Sequence, residues 1–323
     1  VESTKKKKAR IFILGISGFL GYHLAWRLRE KYSVTGSYFS NLISIPDVHT
    51  FPIDLTKKEY VDRLIRMLRP DFTIMASGIN DSKRCADNPK LAEAMNTYIP
   101  LELAQSAVQH GAKNIHLSCS QIFDGSGKNA GENDKNFTSQ AFGRTKLTGE
   151  SYIRSQTMEN TTIRFGKVLG LSHYRRPSYL DKLRSSLSQG KKTTLKEVKT
   201  YNFMSIDSFV SAIEAVIENN IPPTQRVFHV GGPAMKEIDM SRLIAKAFGA
   251  SPDLIQEQLQ QNEEEFEGLR ISSKRDYSLS TELFETTYGW KPETIDGLMQ
   301  TIRSHLIPAS REISKELKTS QSP

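Results

Sequence analysis

Only two cysteines, Cys85 and Cys119, occur in 323 residues. Two thiols without metal-ligand spacing make neither a disulfide framework nor a zinc site; they suit a reducing compartment and read as buried structural thiols. Long apolar runs are missing as well. None approaches the roughly 18 to 20 residues that span a bilayer, and no apolar segment of signal-peptide type follows the lysines of "VESTKKKKAR". The expectation is a cytoplasmic protein without membrane contact. No internal repeat occurs. The acidic stretch "QEQLQQNEEEFEG" (256–268) lacks the defined oxygen ligands of a cation site and reads as a solvated face, so no metal is expected.

A basic body is lacking too, despite a net charge of +8. Residues 1 to 10 carry +4 and residues 308 to 323 carry +1, which leaves +3 for everything between. The surplus sits at the ends, without interleaved aromatics or a nucleic-acid motif, so no nucleic-acid partner is expected.

What remains is ordinary for a globular chain, 37% hydrophobic and 25% charged. From Arg10 onward short apolar runs alternate with longer helical stretches, the pattern of a parallel sheet wrapped by helices. Strands read at 10–15, 33–38, 49–55, 71–77, 113–120 and 161–170. Helices read at 20–32 and 90–111, the second opened by Asn88-Pro89. The fold class is α/β, a Rossmann-type doubly wound parallel sheet with a smaller C-terminal substrate lobe. Residues 1–9 read as a disordered basic arm and 10–170 as the dinucleotide-binding domain. Residues 171–307 read as the substrate-side lobe, with some chain interleaved with the first domain, and 308–323 as a flexible tail.

"GISGFLG" places Gly15, Gly18 and Gly21 between the first strand and the first helix, with Ser17, Phe19 and Leu20 among them. The first glycine permits a tight turn, the second a close approach to a pyrophosphate, the third close packing of helix on strand. The helix N-terminus then faces the phosphates. Strand, loop and helix stand together at the start of the sheet, so the motif predicts dinucleotide binding.

The Gly-x-x-Gly-x-x-Gly spacing resembles that of the extended short-chain dehydrogenase/reductase family. After the second strand, "TGSYFSN" offers Tyr38, Ser40 and Asn41 where an acidic residue would hold the ribose hydroxyls of NAD. That omission leans to NADP, though no arginine stands there either. "PIDLT" resembles the family's third-strand pair and implies Asp54 and Leu55 beside the adenine; "ASG" resembles its turn under the cofactor and implies Ala76, Ser77 and Gly78. "LSCSQIFDG" and "AFGRTKLTGE" resemble paired segments of the dTDP-4-dehydrorhamnose reductase subfamily, which also includes the beta regulatory subunit of methionine adenosyltransferase. "FHVGG" (228–232) and "KRDYSLS" (274–280) echo its C-terminal lobe.

The resemblance implies a hydride passed from nicotinamide to a carbonyl carbon while a tyrosine protonates the oxygen. A lysine four residues later lowers the phenol pKa and holds the ribose, and a Ser or Thr bonds the carbonyl. Carried over by position, Lys146 matches the lysine, Phe142 replaces the tyrosine, and Cys119 falls at the hydroxyl position. Phenylalanine has no proton to give, and loss of a general acid costs about 10²–10⁴ in rate. Strand alternation turns Ser118 and Ser120 away from the face of Cys119. Tyr152 lies ten residues beyond Phe142; Tyr98 and Tyr201 could approach from other elements.

Three functions follow. The first is a cofactor-binding regulatory or ligand-binding protein without reductase turnover. The second is an NADPH-dependent reductase of a nucleotide-linked 4-keto sugar with another proton donor, for which Arg175, Arg176 and Arg275 are candidates to hold the diphosphate. The third, an epimerase or dehydratase, loses more with the tyrosine. The first is favoured. A nucleotide sugar or other small ligand is the expected partner, with a protein partner or a homodimer left open.

Overall fold

A computed structural model describes residues 8–54, 59–156, 159–173, 176–195, 198–219, 226–258, 265–266, 269–270 and 274–306. The chain opens with β1 (Arg10–Leu14), α1 (Phe19–Leu28), β2 (Ser33–Tyr38), β3 (His49–Pro52), α2 (Glu59–Leu68) and β4 (Phe72–Met75). The helices α3 (Ser82–Asp87), α4 (Pro89–Glu93) and α5 (Ile99–Gln109) lead to β5 (Lys113–Leu117), α6 (Ala141–Gln156), β6 (Asn160–Phe165) and β7 (Lys167–Leu169). Then come α7 (Tyr179–Ser188), β8 (Thr193–Leu195), β9 (Val198–Ser205), α8 (Ile206–Glu218), β10 (Val227–Val230), β11 (Ala234–Lys236) and α9 (Glu237–Ala247). α10 (Glu282–Tyr288) and α11 (Ile295–Leu306) close the described part.

Seven strands form one sheet in the order β10-β6-β5-β4-β1-β2-β3, and every neighbouring pair is parallel. The expected doubly wound α/β sheet is present. β1 shows why: all but its first residue are buried and apolar, as a strand covered on both faces requires. Ile11 and Ile13 join a core with Leu24 and Leu28 of α1 and Phe209 and Ile213 of α8. Phe12 and Leu14 point the other way, toward Val61 and Ile65 of α2 and Leu103 of α5.

Register brings the carboxyl ends of the strands level. Leu14 lies beside both Ser37 and Met75, Met75 beside His116, and Leu117 beside Ile163. The segments that follow β1, β2, β4 and β5 therefore emerge along one edge. The strand order reverses between β1 and β4, where open α/β sheets form a ligand crevice.

The later chain divides its elements. β9 pairs with β7, β11 and the strand Lys274–Asp276 in a smaller sheet. A second core there gathers Leu180 and Leu183 of α7, Phe203 of β9, Ile244 of α9 and Leu298 and Ile302 of α11. α8, β10 and α10 return to the large sheet, α10 through Phe284 packed edge-on against Phe228 at 5.9 Å.

Two expected elements are interrupted. The helix expected over 90–111 is α4, one π turn at Ala94–Tyr98, and α5; Pro89 does open it, but Asn88 makes no side-chain cap. The strand expected over 161–170 breaks at Gly166, where a Cβ would overlap the carbonyl oxygen of Asn202, and β7 leaves for the smaller sheet. Strands 3 and 4 are also shorter at their carboxyl ends than the apolar runs suggested.

α6 sits unusually close to its neighbours. A Cβ on Gly143 would overlap Gln121 O and Thr138 Cγ2, and one on Gly149 would come 2.5 Å from Asn96 O. Gly143→Ala is therefore expected to lower stability by about 3 kcal/mol, the upper end for overpacking against backbone. Gly127→Ala, where a Cβ meets nothing within 4 Å, should stay within about 0.5 kcal/mol. Urea unfolding of both variants checks this.

Candidate functional site

The glycine loop is built by crowding on one side and openness on the other. Gly15 adopts φ +93, and a Cβ there would stand 2.7 Å from that of Ser77. Both constraints require glycine. A Cβ on Gly21 would overlap Gly15 O, so α1 rests directly on the turn. The N–H groups of Gly15 and Ile16 both donate to Ser37 O, at 2.9 and 2.8 Å, which ties the loop to β2. Gly18, by contrast, is exposed and forms the N-cap of α1 with no side-chain hydrogen bond. Gly18 thus gives the first-turn N–H groups of α1 no side-chain cap, the form of an anion cradle.

The anticipated residues that are described lie at or just after the carboxyl ends of β1 to β4. Ala76 and Ser77 are half-buried and Gly78 exposed, directly after β4; Ser17 is half-buried. Phe19, Leu20, Tyr38 and Ala76 pack against the first core. Ser40 is exposed and Asp54 half-buried. Leu55 lies outside the described residues. Phe39 and Leu42, not singled out in the sequence, are 67% and 69% exposed beside Ser40.

A buried asparagine holds the next wall. Asn96, on the π turn, accepts from Ile79 N at 3.0 Å, and its Nδ2 donates to Ile79 O and to Thr145 Oγ1 at 2.9 and 3.1 Å. Thr97 Oγ1 donates to Thr145 O at 2.7 Å. The turn under the crevice and the start of α6 are thereby locked together.

That lock sets Phe142. Its ring is buried with Ile79, Cys85 and Ala92, and Met95, Cys119 and Ala141 pack against the cluster. Phe142 and Cys119 are thus brought together as their positions implied, in an apolar setting. Lys146 lies one turn on and donates from Nζ to Leu117 O at 2.6 Å. Burial lowers its pKa, offset in part by Cys119 and Glu150. Burial pushes the Cys119 thiol up to about 11, although the Lys146 charge pulls it down. Cys119 is half-buried, whereas Cys85 is sealed and its thiol donates to Ile79 O at 3.6 Å. At neutral pH the Cys119 thiol therefore stays protonated and unreactive.

The alternation expected for Ser118 and Ser120 does not hold as drawn. β5 ends at Leu117 and Ser120 begins a short 3-10 turn through Ile122. Among the described residues no tyrosine joins the cluster around Phe142. Tyr201 is sealed in the second core, stacked on Tyr277 at 5.3 Å, and Tyr98 and Tyr152 are 46% and 42% exposed.

Behind α6 stands a buried ion pair that sequence reasoning missed. Arg164 of β6 holds Glu150 through Nε at 3.0 Å and Nη2 at 2.7 Å. Its Nη1 lies 3.3 Å from His229 Nε2 on β10 and donates to Glu132 O. His229 N donates to Glu132 Oε1 at 3.0 Å. Burial, then the Arg164 charge, lowers His229 to about 3, so the imidazole is neutral. Only the Gly-Glu of the "AFGRTKLTGE" segment hinted at Glu150.

Two of the candidate diphosphate arginines are described. Arg176 is exposed at the surface. Arg275 is half-buried, with its Cβ beside Gly125 in the loop after Cys119 and its guanidinium donating to Tyr277 Oη at 3.4 Å. Arg175 lies outside the described residues. Asn202, also missed, ties the echoed C-terminal segments together, donating to Gly232 O and accepting from Leu279 N.

A family model described as the RmlD substrate binding domain matches residues 9–303. A curated relative, the probable low-salt glycan biosynthesis reductase Agl14 of Haloferax volcanii, is 32% identical over 161 residues, 49% of this chain and 53% of that protein. The dTDP-4-dehydrorhamnose reductase of Escherichia coli is 28% identical over 144 residues, 43% of this chain and 45% of its own length. The chain thus spans about half the length of the curated relatives it matches. Among solved structures, dTDP-4-dehydrorhamnose reductase from Bacillus anthracis in complex with NADP superposes with a TM-score of 0.76 at 14% identity, covering 94% of this chain and 99% of that one. Bordetella bronchiseptica WbmG, in complex with NAD and UDP, gives 0.77 at 15% identity over 95% of each. At these identities the likeness is one of fold. No helix among the described residues is long and apolar enough to cross a membrane.

The neutral His229 yields a pH dependence. Its pKa is depressed from an ordinary 6.5 to about 3, so between those values the unfolded chain binds a proton that the native state does not. Unfolding free energy must fall as pH falls through that window. Acidification from pH 6.5 to 5 is expected to remove about 2 kcal/mol through this group. Denaturant titrations at both pH values should show a smaller loss in His229→Gln.

Proposed function

The chain belongs to the RmlD substrate binding domain family, and we propose that within it this protein binds a nicotinamide dinucleotide, NADP in preference to NAD, without the family's phenol-based proton donation. Its role is then regulatory or ligand-binding, with a nucleotide-linked sugar as the small molecule its second lobe takes. The observation that carries the reading is the contrast within one crevice. The glycine turn, the uncapped start of α1 and Lys146 retain the form of a dinucleotide cradle. Phe142, at the family's proton-donor position, is buried among Ile79, Cys85 and Ala92. The lean to NADP rests on Tyr38, Ser40 and Asn41 standing where a carboxylate would grip the NAD ribose. The NAD and NADP bound by the structural neighbours support a nicotinamide cofactor as a class.

Fluorescence titration with NADPH and NADH tests the first half. NADPH should bind more tightly, and Gly18→Asp, which crowds a pyrophosphate and adds like charge, should abolish binding. Absence of binding at millimolar cofactor removes the dinucleotide reading; a tenfold preference for NADH, about 1.4 kcal/mol, reverses the cofactor assignment. NADPH oxidation with dTDP-4-keto sugars tests the second half. The native chain should be silent, and turnover should emerge in the double variant Phe142→Tyr with Cys119→Thr. Native turnover on the order of 1 s⁻¹ or more would establish the reductase reading instead.

A further inference from the structure

A cavity of about 640 Å³ opens between the end of α7, the end of α9 and α11. None of the residues lining it belongs to the glycine loop, to α6 or to the Phe142 cluster. The way two helices end produces it. α9 packs against both α7 and α11, but it stops at Ala247, and Gly249, at φ +70, turns the chain aside. α7 stops at Ser188 and turns in the same way at Gly190, at φ +64. A Cβ on either glycine would meet nothing within 4 Å, so no side chain fills the space that the turns leave.

The floor of the cavity is apolar and continuous with the second core. Leu187 belongs to that core, and Ala247, Phe248 and Ala250 pack against it half-buried. The mouth is cationic. Arg184 of α7 and Arg303 of α11 both line it and both are exposed. No acidic residue is among the described residues that line it.

Neither guanidinium is neutralised where it stands. Arg303 has no ion-pair partner among the described residues. Arg184 reaches only Asp181, at 3.8 Å, and that carboxylate already accepts from Ser172 N, Ser178 N and Ser178 Oγ. Helix ends contribute partial negative charge through free carbonyls, but here the last-turn carbonyls are closed. Ser186 O and Leu187 O accept from Lys191 N and Gly190 N, and Ala245 O and Lys246 O accept from Ala250 N and Gly249 N. The two arginines therefore set the sign of the field at the mouth.

We propose that this cavity is a second ligand site, separate from the crevice, for a small organic anion. Its apolar body lies against Leu187, Phe248 and Ala250, and its carboxylate or phosphate group is held between Arg184 and Arg303. A concave apolar floor with a few polar groups at its edge, within a volume of roughly 300–1,000 Å³, is the usual form of a small-molecule site. A guanidinium fork binds carboxylate and phosphate alike through paired N–H groups, so charge and shape define the class, and titration separates the two anions.

The test is a fluorine NMR titration of the full chain with para-trifluoromethylbenzoate, para-trifluoromethylphenyl phosphate and the neutral para-trifluoromethylbenzyl alcohol. At least one anion should bind saturably with a Kd of about 1 mM or tighter, and the tighter of the two identifies the group. The alcohol should bind at least about tenfold more weakly, and Arg184→Ala and Arg303→Ala should each weaken the anion by about tenfold, the loss of one charge-assisted contact. Both arginines are exposed, so these variants should fold. Gly18→Asp, which closes the dinucleotide cradle, should leave the affinity of the anion at the native value. The proposal is therefore read independently of whether a dinucleotide binds in the crevice. It is overturned if neither anion saturates by about 10 mM, if the alcohol binds as tightly as the anions, or if the double variant Arg184→Ala with Arg303→Ala keeps native affinity. Loss of anion binding in Gly18→Asp would put the anion in the cradle and overturn it as well.

Discussion

The side chain of Asn96 fastens three pieces of the crevice at once. Its oxygen and nitrogen close both backbone groups of Ile79, and the same nitrogen reaches Thr145. The first bond pair shapes the segment after β4 that crowds Gly15; the second seats α6. Because Asn96 is 1% exposed, each of these bonds is made away from water, where an unpaired amide is costly. The π turn that carries Asn96 is the local irregularity that such insertions at functional positions commonly show. The start of α6, which carries Phe142 and Lys146, is seated in part by this contact.

Local pattern is enough to read the large sheet. β1 and β2 stand where their apolar runs put them, because each is short, covered on both faces and punctuated by glycine or a charged turn. The glycine loop was legible in part for the same reason: Gly21 works on its chain neighbours Gly15 and Ile16, whereas the crowding of Gly15 by Ser77 comes from the far segment after β4. The pairing of Phe142 with Cys119 came from resemblance rather than pattern, and the two do share one cluster.

Other features depend on partners far away in sequence. The break at Gly166 exists because Asn202 passes close by, 36 residues on, and no reading of residues 161–170 alone contains that. Arg164, Glu150 and His229 look like ordinary surface residues until β6, α6 and β10 meet and exclude water from them. The π turn interrupts a run whose apolar periodicity is continuous, so the demand for it comes from the hydrogen bonds of Asn96 and not from propensity. Ser120 escaped the strand because β5 stops at Leu117, a boundary set by where the sheet edge ends.

The crevice thus joins the glycine turn and the start of α1 with an apolar wall formed around Phe142. Burial decides the electrostatics: it keeps the Cys119 thiol protonated and weakens the hold of Lys146 on its proton. The most direct test is an experimental structure with NADP bound. The account predicts the diphosphate at Gly18 and the first turn of α1, with the Phe142 ring still against Ile79 and Cys85 and no tyrosine hydroxyl beside Lys146. A cofactor bound elsewhere, or a tyrosine hydroxyl moved into hydrogen-bonding distance of Lys146 in front of the nicotinamide, would contradict it.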